Sequence, residues 1–130
     1  MLKNKNILLG ITGSIAAYKA PLIIRELLKL ENQIRAIMTP SSLKFITKLT
    51  ISNLTKSKVI DDMFEEDNQT SGAWHIHLAH WCDAMLIAPC TATTISRLAT
   101  GLCDNALTAV ALALPKEKPL IIAPAMDSDM

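Results

Sequence analysis

All three histidines of the chain lie within one short segment, Trp74 to Asp83. Imidazole exchanges protons near neutral pH, so a single catalytic histidine is the first candidate for chemistry. A shared metal is the alternative, but His75 and His77 would lie about 200° apart around a helix. In an extended segment the two would share a face, yet no HxxxH or CxxC spacing supports them. We therefore expect no metal. For His77 and His80 the alternative remains that they face solvent and have no functional role.

A second segment whose residue types could bind a ligand is Gly10-Ile11-Thr12-Gly13-Ser14-Ile15-Ala16. It lies between a strand-like run and a helix-like run. Glycines let the backbone approach an anion, and a helix start offers free N–H groups. The GxxGS spacing differs from the GxGxxG of dinucleotide sites. Thr39-Pro40-Ser41-Ser42, after the next strand, lacks the carboxylate that would hold ribose hydroxyls. A mononucleotide phosphate is therefore the better ligand, with a turn that only packs as the alternative.

Two further loops are expected at the same edge of the sheet. Pro89-Cys90-Thr91-Ala92-Thr93-Thr94 again places small residues and hydroxyls at a helix start, and its alternative is a threonine-capped helix. Ala123 to Met130 follows the last strand, where a Pro-x-Met segment can reach over a bound ring and Asp127 can accept a hydrogen bond from substrate. Its alternative is a frayed polar end. Convergence of these loops favours a ligand cradle.

These loops depend on strands and helices that hydrophobic patterning predicts. The predicted strands are Asn6–Ile11, Ile34–Met38, a short Lys58–Ile60, Ala84–Ala88 ending at Pro89, and Leu120–Ala123. The predicted helices are Ala16–Leu28 with Pro21 in its first turns or at a kink, one beginning over Ser41–Ile46, Thr91–Thr100 ending at Gly101, and one capped by Asp104 or Asn105 and running to about Leu114. Glu65 to Gly72 is polar enough for a mobile loop.

Alternation of strands and helices predicts an α/β fold in which a mainly parallel sheet has right-handed crossovers. Ligands of such sheets bind at the carboxyl ends of the strands. The 130 residues are enough for one domain with one core.

Composition excludes several classes of function. The net charge is +1 and the 13 basic and 12 acidic residues are scattered, which argues against nucleic acid. No apolar run reaches the roughly 18–20 residues of a membrane span. Cys82, Cys90 and Cys103 form no CxxC pair and are odd in number, which indicates reduced thiols in a cytoplasmic protein.

With these segments in place, the sequence resembles the homo-oligomeric flavin-containing cysteine decarboxylases. Within that family it is most similar to the members that act in coenzyme A synthesis. The matching segments are Gly10–Lys19 (GITGSIAAYK), Met38–Ile46 (MTPSSLKFI), His75–Asp83 (HIHLAHWCD), Ala88–Asn105 (APCTATTISRLATGLCDN) and Ala123–Met130 (APAMDSDM). Five such segments in the right order make the resemblance specific, and it implies a Rossmann-like three-layer sandwich.

The resemblance also implies a cofactor, a site and an assembly. FMN would lie between subunits of a homo-oligomer, a trimer that is often part of a dodecamer. The implied cofactor-binding residues are Gly13, Ser14, Ile15, Thr39, Ser41, Thr91, Ala92, Thr93, Thr94 and Ala125. His75 matches the active-site histidine, and Met126 and Asp127 fall in the substrate-recognition segment.

The implied reaction is oxidative decarboxylation of phosphopantothenoylcysteine to phosphopantetheine. FMN would accept a hydride from the carbon bearing sulfur, and the resulting thioaldehyde-like species would let carbon dioxide leave to give an enethiol. The reduced flavin would then return its electrons, which yields phosphopantetheine. The open alternatives are a peptidyl-cysteine decarboxylase and a non-catalytic FMN-binding or regulatory protein.

Three departures from the family pattern bear on activity. Asp127 stands where the family usually has asparagine, and a carboxylate cannot donate a hydrogen bond. His77 replaces a glutamate common two positions after the histidine. The family continues beyond the position of Met130 into a substrate flap that bears a reducing cysteine, so residues 1–130 are expected to be a flavoprotein domain lacking that flap.

Overall fold

The computed structural model describes residues 2–65 and 72–130. Within those residues, four strands form one sheet in the order β2-β1-β3-β4. The strands are β1 (Asn6–Ile11), β2 (Gln33–Met38), β3 (Ala84–Cys90) and β4 (Leu120–Pro124). All three pairings are parallel. The predicted α/β class with a parallel sheet is confirmed.

Helices connect the strands, and polar side chains fix where several of them begin. The α-helices are α1 (Ala20–Lys29), α2 (Lys48–Thr55), α3 (Trp74–Trp81), α4 (Ala92–Thr100) and α5 (Ala106–Ala113). Two short 3-10 helices, Ile15–Lys19 and Pro40–Lys44, follow β1 and β2. Thr47, Thr91 and Asn105 cap α2, α4 and α5, each by accepting a hydrogen bond from an amide of the first turn.

The sheet separates two apolar layers, because successive side chains of a strand point to opposite faces. Ile7, Leu9 and Ile11 of β1 are buried in the layer that α1 and α2 cover. Leu8 is buried in the other layer, against α3 and α5. The predicted three-layer sandwich is therefore confirmed. At the β4 edge of the sheet, Leu120, Ile121 and Ile122 remain 40–45% exposed.

Several predicted boundaries need correction. The regular part of the first helix begins at Ala20, after a 3-10 helix, and Pro21 does lie in its first turn. Ser41 to Ile46 does not begin an α-helix, since Pro40–Lys44 is a separate 3-10 turn and Thr47 starts α2. The predicted strand Lys58–Ile60 amounts to one bridge between Ile37 and Ile60.

The third strand is longer than predicted. It passes through Pro89 to Cys90, because a register irregularity after Ile87 accommodates a residue without an N–H. Gly101 ends α4 as predicted, in the left-handed conformation. Of the two proposed caps of α5, Asn105 is the one used. The predicted mobile loop Glu65 to Gly72 falls mostly on residues 66–71, outside the described residues.

Candidate functional site

A cleft of about 800 Å³ opens where the loops after β1, β2, β3 and β4 meet. All predicted cofactor-binding residues and both predicted substrate-binding residues line it. They are Gly13, Ser14, Ile15, Thr39, Ser41, Thr91, Ala92, Thr93, Thr94, Ala125, Met126 and Asp127. The four loops thus converge at the carboxyl edge of the sheet, as the sequence predicted. The role of each residue stays a prediction.

The first two loops touch at Gly13. A Cβ atom at residue 13 would lie 2.5 Å from Cβ of Ser41 and 3.1 Å from its carbonyl carbon. No side chain fits there without moving the loop after β2, because the atoms that it would contact include backbone atoms of Ser41. The small size of Gly13 therefore allows the loops after β1 and β2 to form one continuous wall.

The loop after β2 is held by its own hydroxyl groups. The buried Ser42 hydroxyl donates to the Thr39 carbonyl at 2.6 Å, and the Thr39 hydroxyl accepts from the Ser42 amide at 3.3 Å. The Thr39 amide donates to the Ile11 carbonyl at 3.0 Å, which ties the loop to β1. These bonds leave the exposed Ser41 on the cleft side of the turn.

The loop after β3 leads into α4 through Thr91. The Thr91 hydroxyl accepts from the Thr94 amide at 3.2 Å and lies 3.2 Å from the Thr94 hydroxyl. The amides of Ala92 and Thr93, next in the first turn, have no hydrogen-bond partner within residues 2–65 and 72–130. Free amides at a helix start attract anions and polar ligand atoms.

An ion pair in the cleft wall was not predicted. Arg97 Nε lies 2.9 Å from Asp104 Oδ1, but its N–H is not aligned for a hydrogen bond there. A terminal guanidinium nitrogen donates to Asp104 Oδ2 at 3.4 Å. The two residues come from the last turn of α4 and the segment before α5. Their separation of seven residues spans a helix end, so no periodic pattern could reveal the contact.

His75 is the one predicted site residue that does not line the cleft. It is the second residue of α3, half-buried, with its ring edge-on to Trp74 at 5.7 Å between centroids. The helix ends next to the start of β1, where the Asp83 amide donates to the Asn6 carbonyl at 2.7 Å. At the start of α3, the Trp74 indole nitrogen donates to the Met63 carbonyl at 3.2 Å, so this end of the helix lies against the segment after Ile60.

The other two histidines are exposed on the same helix. Helical geometry separates His75 from His77, so these two do not share a face. Among the described residues, no three His, Cys, Asp or Glu side chains come together in a way that could hold a metal ion. In the same part of the chain, no helix combines the length and the apolar character needed to cross a bilayer.

A parallel sheet with small, hydroxyl-rich loops and free helix-start amides at its carboxyl edge defines a Rossmann-like α/β protein suited to a phosphate-bearing ligand. The chain belongs to the Flavoprotein family, whose model matches residues 1–130.

Two curated relatives span the chain almost completely. The probable phosphopantothenoylcysteine decarboxylase of Streptococcus mutans serotype c is 44% identical over 126 residues, 97% of this chain and 70% of that protein. The coenzyme A biosynthesis bifunctional protein CoaBC of Borreliella burgdorferi is 40% identical over 130 residues, 100% of this chain and 32% of that protein. The chain thus spans about a third of the bifunctional relative.

Solved structures share the fold. The FMN-dependent cysteine decarboxylase SpaF superimposes with a TM-score of 0.88 at 31% identity, covering 99% of this chain and 73% of that one. A PPC decarboxylase mutant complexed with pantothenoylaminoethenethiol gives a TM-score of 0.78 at 34% identity, covering 97% of this chain and 69% of that one.

Proposed function

We propose that this chain binds FMN in the cleft and serves the oxidative decarboxylation of phosphopantothenoylcysteine to phosphopantetheine in coenzyme A synthesis. The observation that carries the proposal is the convergence of the loops after all four strands on one cleft. The relatives described above add the chemistry, because one is named for this decarboxylation and the solved structures are named for FMN or for a complex with pantothenoylaminoethenethiol.

The residues of the cleft fit a flavin mononucleotide. The cleft volume of about 800 Å³ lies in the range of small-molecule sites. Gly13, Ser14 and Ser41 form a compact wall suited to the terminal phosphate. Thr91 to Thr94 offer hydroxyls and the free amides of Ala92 and Thr93 to the polar atoms of the ring region. When bound, FMN supplies the two-electron oxidation and reduction that the amino acids cannot.

The remaining assigned residues concern the substrate. His75 would move a proton through an imidazole nitrogen, because imidazole is the side chain that exchanges protons near neutral pH. Met126 would pack over the bound ring system, and Asp127 beside it would face the reacting cysteine moiety. Met126 and Asp127 are both exposed in the cleft wall, so they are accessible to a ligand.

We also propose a cytoplasmic homo-oligomer, a trimer or dodecamer. Ile15, Tyr18 and Leu22 form an exposed apolar stripe, at 78%, 60% and 59% exposure, and Ile15 also borders the cleft. Such stripes mark protein interfaces. Light scattering of the wild type should give a trimer or a multiple of it, and Tyr18→Lys should lower the mass. A monomeric wild type would contradict the assembly.

Purification and one assay test the function. The protein should be yellow and release FMN on denaturation. Incubation with phosphopantothenoylcysteine should release carbon dioxide and bleach the flavin transiently, since the reduced flavin returns its electrons as phosphopantetheine forms. Pantothenate is the control that lacks the cysteine. A protein that neither carries nor takes up FMN would sink the flavin assignment.

The second candidate, a peptidyl-cysteine decarboxylase, is favoured by the likeness to the solved peptidyl-cysteine decarboxylase EpiD, with a TM-score of 0.77 at 29% identity. It is tested in the same assay with a peptide ending in cysteine. Turnover of the peptide but not of phosphopantothenoylcysteine would favour the peptidyl-cysteine decarboxylase over the first candidate. FMN binding with neither substrate turned over would favour a non-catalytic flavoprotein.

A further inference from the structure

One buried hydroxyl in the cleft region has no role in the function proposed above. Thr12 follows β1 directly and is 1% exposed. Its hydroxyl donates to the Pro89 carbonyl at 2.6 Å and accepts from the Thr91 amide at 3.1 Å. Both partners lie more than 70 residues away in the sequence, Pro89 near the end of β3 and Thr91 in the loop that leads into α4. A single side chain therefore joins two of the loops that form the cleft.

The position of this hydroxyl explains why it matters. Backbone pairing of β1 with β3 ends at Gly10 and Ile87, and the register of β3 with β4 becomes irregular between Ile87 and Cys90. Beyond that point the two loops have no regular ladder between them. The Thr12 hydroxyl supplies one donor and one acceptor at the place where the next ladder bonds would stand.

The same bond decides which amides at the start of α4 remain free. A helix start leaves four amides without intrahelical partners. Thr12 accepts from the first of them, on Thr91, and the Thr91 hydroxyl accepts from the fourth, on Thr94. The two in between, on Ala92 and Thr93, are left for a ligand. The amides left free at the start of α4 are thus selected by the hydroxyl groups of Thr12 and Thr91.

We propose that Thr12 is a positioning residue, which fixes the start of α4 relative to the Gly13–Ser14 turn and thereby sets cofactor affinity without touching the cofactor. This inference rests on the proposed FMN site. Thr12 does not line the cleft, whereas its neighbours Gly13 and Ser14 do. Loss of its hydroxyl would leave the buried Pro89 carbonyl and the partly buried Thr91 amide unpaired, and the loop would shift to relieve them.

A purely structural role predicts a different result, and Thr55 provides the matched control. Thr55 is also buried, at 8% exposure, and its hydroxyl donates to the Ile51 carbonyl at 3.0 Å inside α2. It does not line the cleft. Replacing either threonine by valine keeps the shape of the side chain and removes one buried hydroxyl.

The experiment compares the wild type with Thr12→Val, Thr12→Ser and Thr55→Val. Three quantities are measured: the FMN dissociation constant by fluorescence quenching, the visible circular dichroism at saturating FMN, and the thermal midpoint of the FMN-free protein. We expect Thr12→Val to weaken FMN binding by about tenfold and to change the dichroism spectrum. Thr12→Ser should restore both, and Thr55→Val should lower the midpoint while leaving affinity and spectrum as in the wild type.

Wild-type affinity and spectrum in Thr12→Val would overturn the proposal, and so would an equal loss of affinity in Thr55→Val. Amide hydrogen exchange of Thr91 in the FMN-free protein provides a readout that does not need the cofactor. The amide should be protected in the wild type and in Thr12→Ser, and should exchange about tenfold faster in Thr12→Val. An unchanged exchange rate in Thr12→Val would contradict the proposal, whether or not the wild type binds FMN. Absence of FMN binding by the wild type would, as a separate outcome, refute the proposed function.

Discussion

The proposed cofactor side of the cleft, formed by the loops after β1, β2 and β3, differs from the proposed substrate side, the segment after β4, in how its polar groups are held. On the cofactor side, Thr12, Thr39 and Thr94 are at most 7% exposed, and their hydroxyls or amides are bonded within the loops. On the substrate side, Met126 and Asp127 are exposed. A backbone bond from the Ala125 amide to the Cys90 carbonyl joins their segment to β3, and a second bond, from the Met130 amide to the Asp127 carbonyl, lies within the segment.

This contrast indicates a division of labour between the two sides. Buried, mutually bonded hydroxyls hold a shape before any ligand arrives, which lowers the cost of binding. Exposed side chains on a lightly bonded segment adopt their working positions only when a ligand orders them. Cofactor binding and turnover should therefore respond to different substitutions, and three substitutions with their controls test that separation.

The largest expected effect is on turnover. His75→Asn should lower the rate of decarboxylation by about a hundredfold to ten-thousandfold, the usual contribution of a general acid or base. FMN binding should be unchanged, because His75 does not line the cleft. The measurement pairs single-turnover decarboxylation with FMN titration on the same preparation.

Histidines on the same helix provide the control for this variant. His77→Asn and His80→Asn change exposed side chains of α3 and should retain the wild-type rate. A full rate in His75→Asn would remove the histidine from the mechanism. A parallel loss of FMN would instead place His75 on the cofactor side.

The next effect in size is on cofactor binding. Gly13→Ala should weaken FMN binding by about tenfold to a hundredfold, because the new Cβ would lie 2.5 Å from Cβ of Ser41 and overpacking is costly. The double variant Gly13→Ala with Ser41→Gly should recover part of the affinity, since it removes the closest contact. Isothermal titration with FMN measures both.

Gly101→Ala distinguishes this clash from a general loss of stability. Gly101 has φ +74° at the end of α4, and a Cβ there would meet no atom within 4 Å. Its substitution should cost about 1–2 kcal/mol of unfolding free energy through backbone strain alone. FMN affinity that falls as far in Gly101→Ala as in Gly13→Ala would mean that the Gly13–Ser41 contact has no specific role.

Most of the fold was predictable because its signals are local. β1 has the predicted bounds, Gly101 ends α4, and Asn105 caps α5, since each depends on a short apolar run or one capping residue. The convergence of the four loops was predictable as well, because the carboxyl ends of parallel strands meet at one edge. The position of the proposed cofactor side of the cleft could therefore be predicted from local sequence patterns.

The features that the sequence did not predict depend on contacts that no local pattern encodes. Thr12 looks like any turn residue in the sequence, and only the fold brings it to Pro89 and Thr91. The Arg97–Asp104 pair crosses the end of α4. The extension of β3 through Pro89 depends on an irregular pairing with β4, which overrides the usual effect of proline on a strand.

A gain of activity is expected on the substrate side. Asp127→Asn should raise decarboxylation of phosphopantothenoylcysteine by about tenfold, because an amide can donate a hydrogen bond to the substrate carboxylate whereas an anionic side chain repels it. Asp129→Asn is the matched control, since Asp129 is an exposed carboxylate that does not line the cleft. Initial rates against substrate concentration give kcat/KM for each. A slower Asp127→Asn enzyme would show that the carboxylate itself assists the reaction.

The smallest expected effect concerns the thiols. Burial raises the pKa of the Cys90 thiol on the cofactor side, and burial likewise raises the pKa of Cys82. A raised pKa leaves less thiolate at about pH 8 than an ordinary cysteine has, so both should react slowly with Ellman's reagent. Exposed Cys103 should react at once, and all three should react after denaturation. Cys103→Ser should therefore abolish the fast phase. A fast phase that persists in Cys103→Ser would mean that the reagent reaches a buried thiol because the native fold opens. If that thiol is Cys90, the opening occurs on the proposed cofactor side of the cleft.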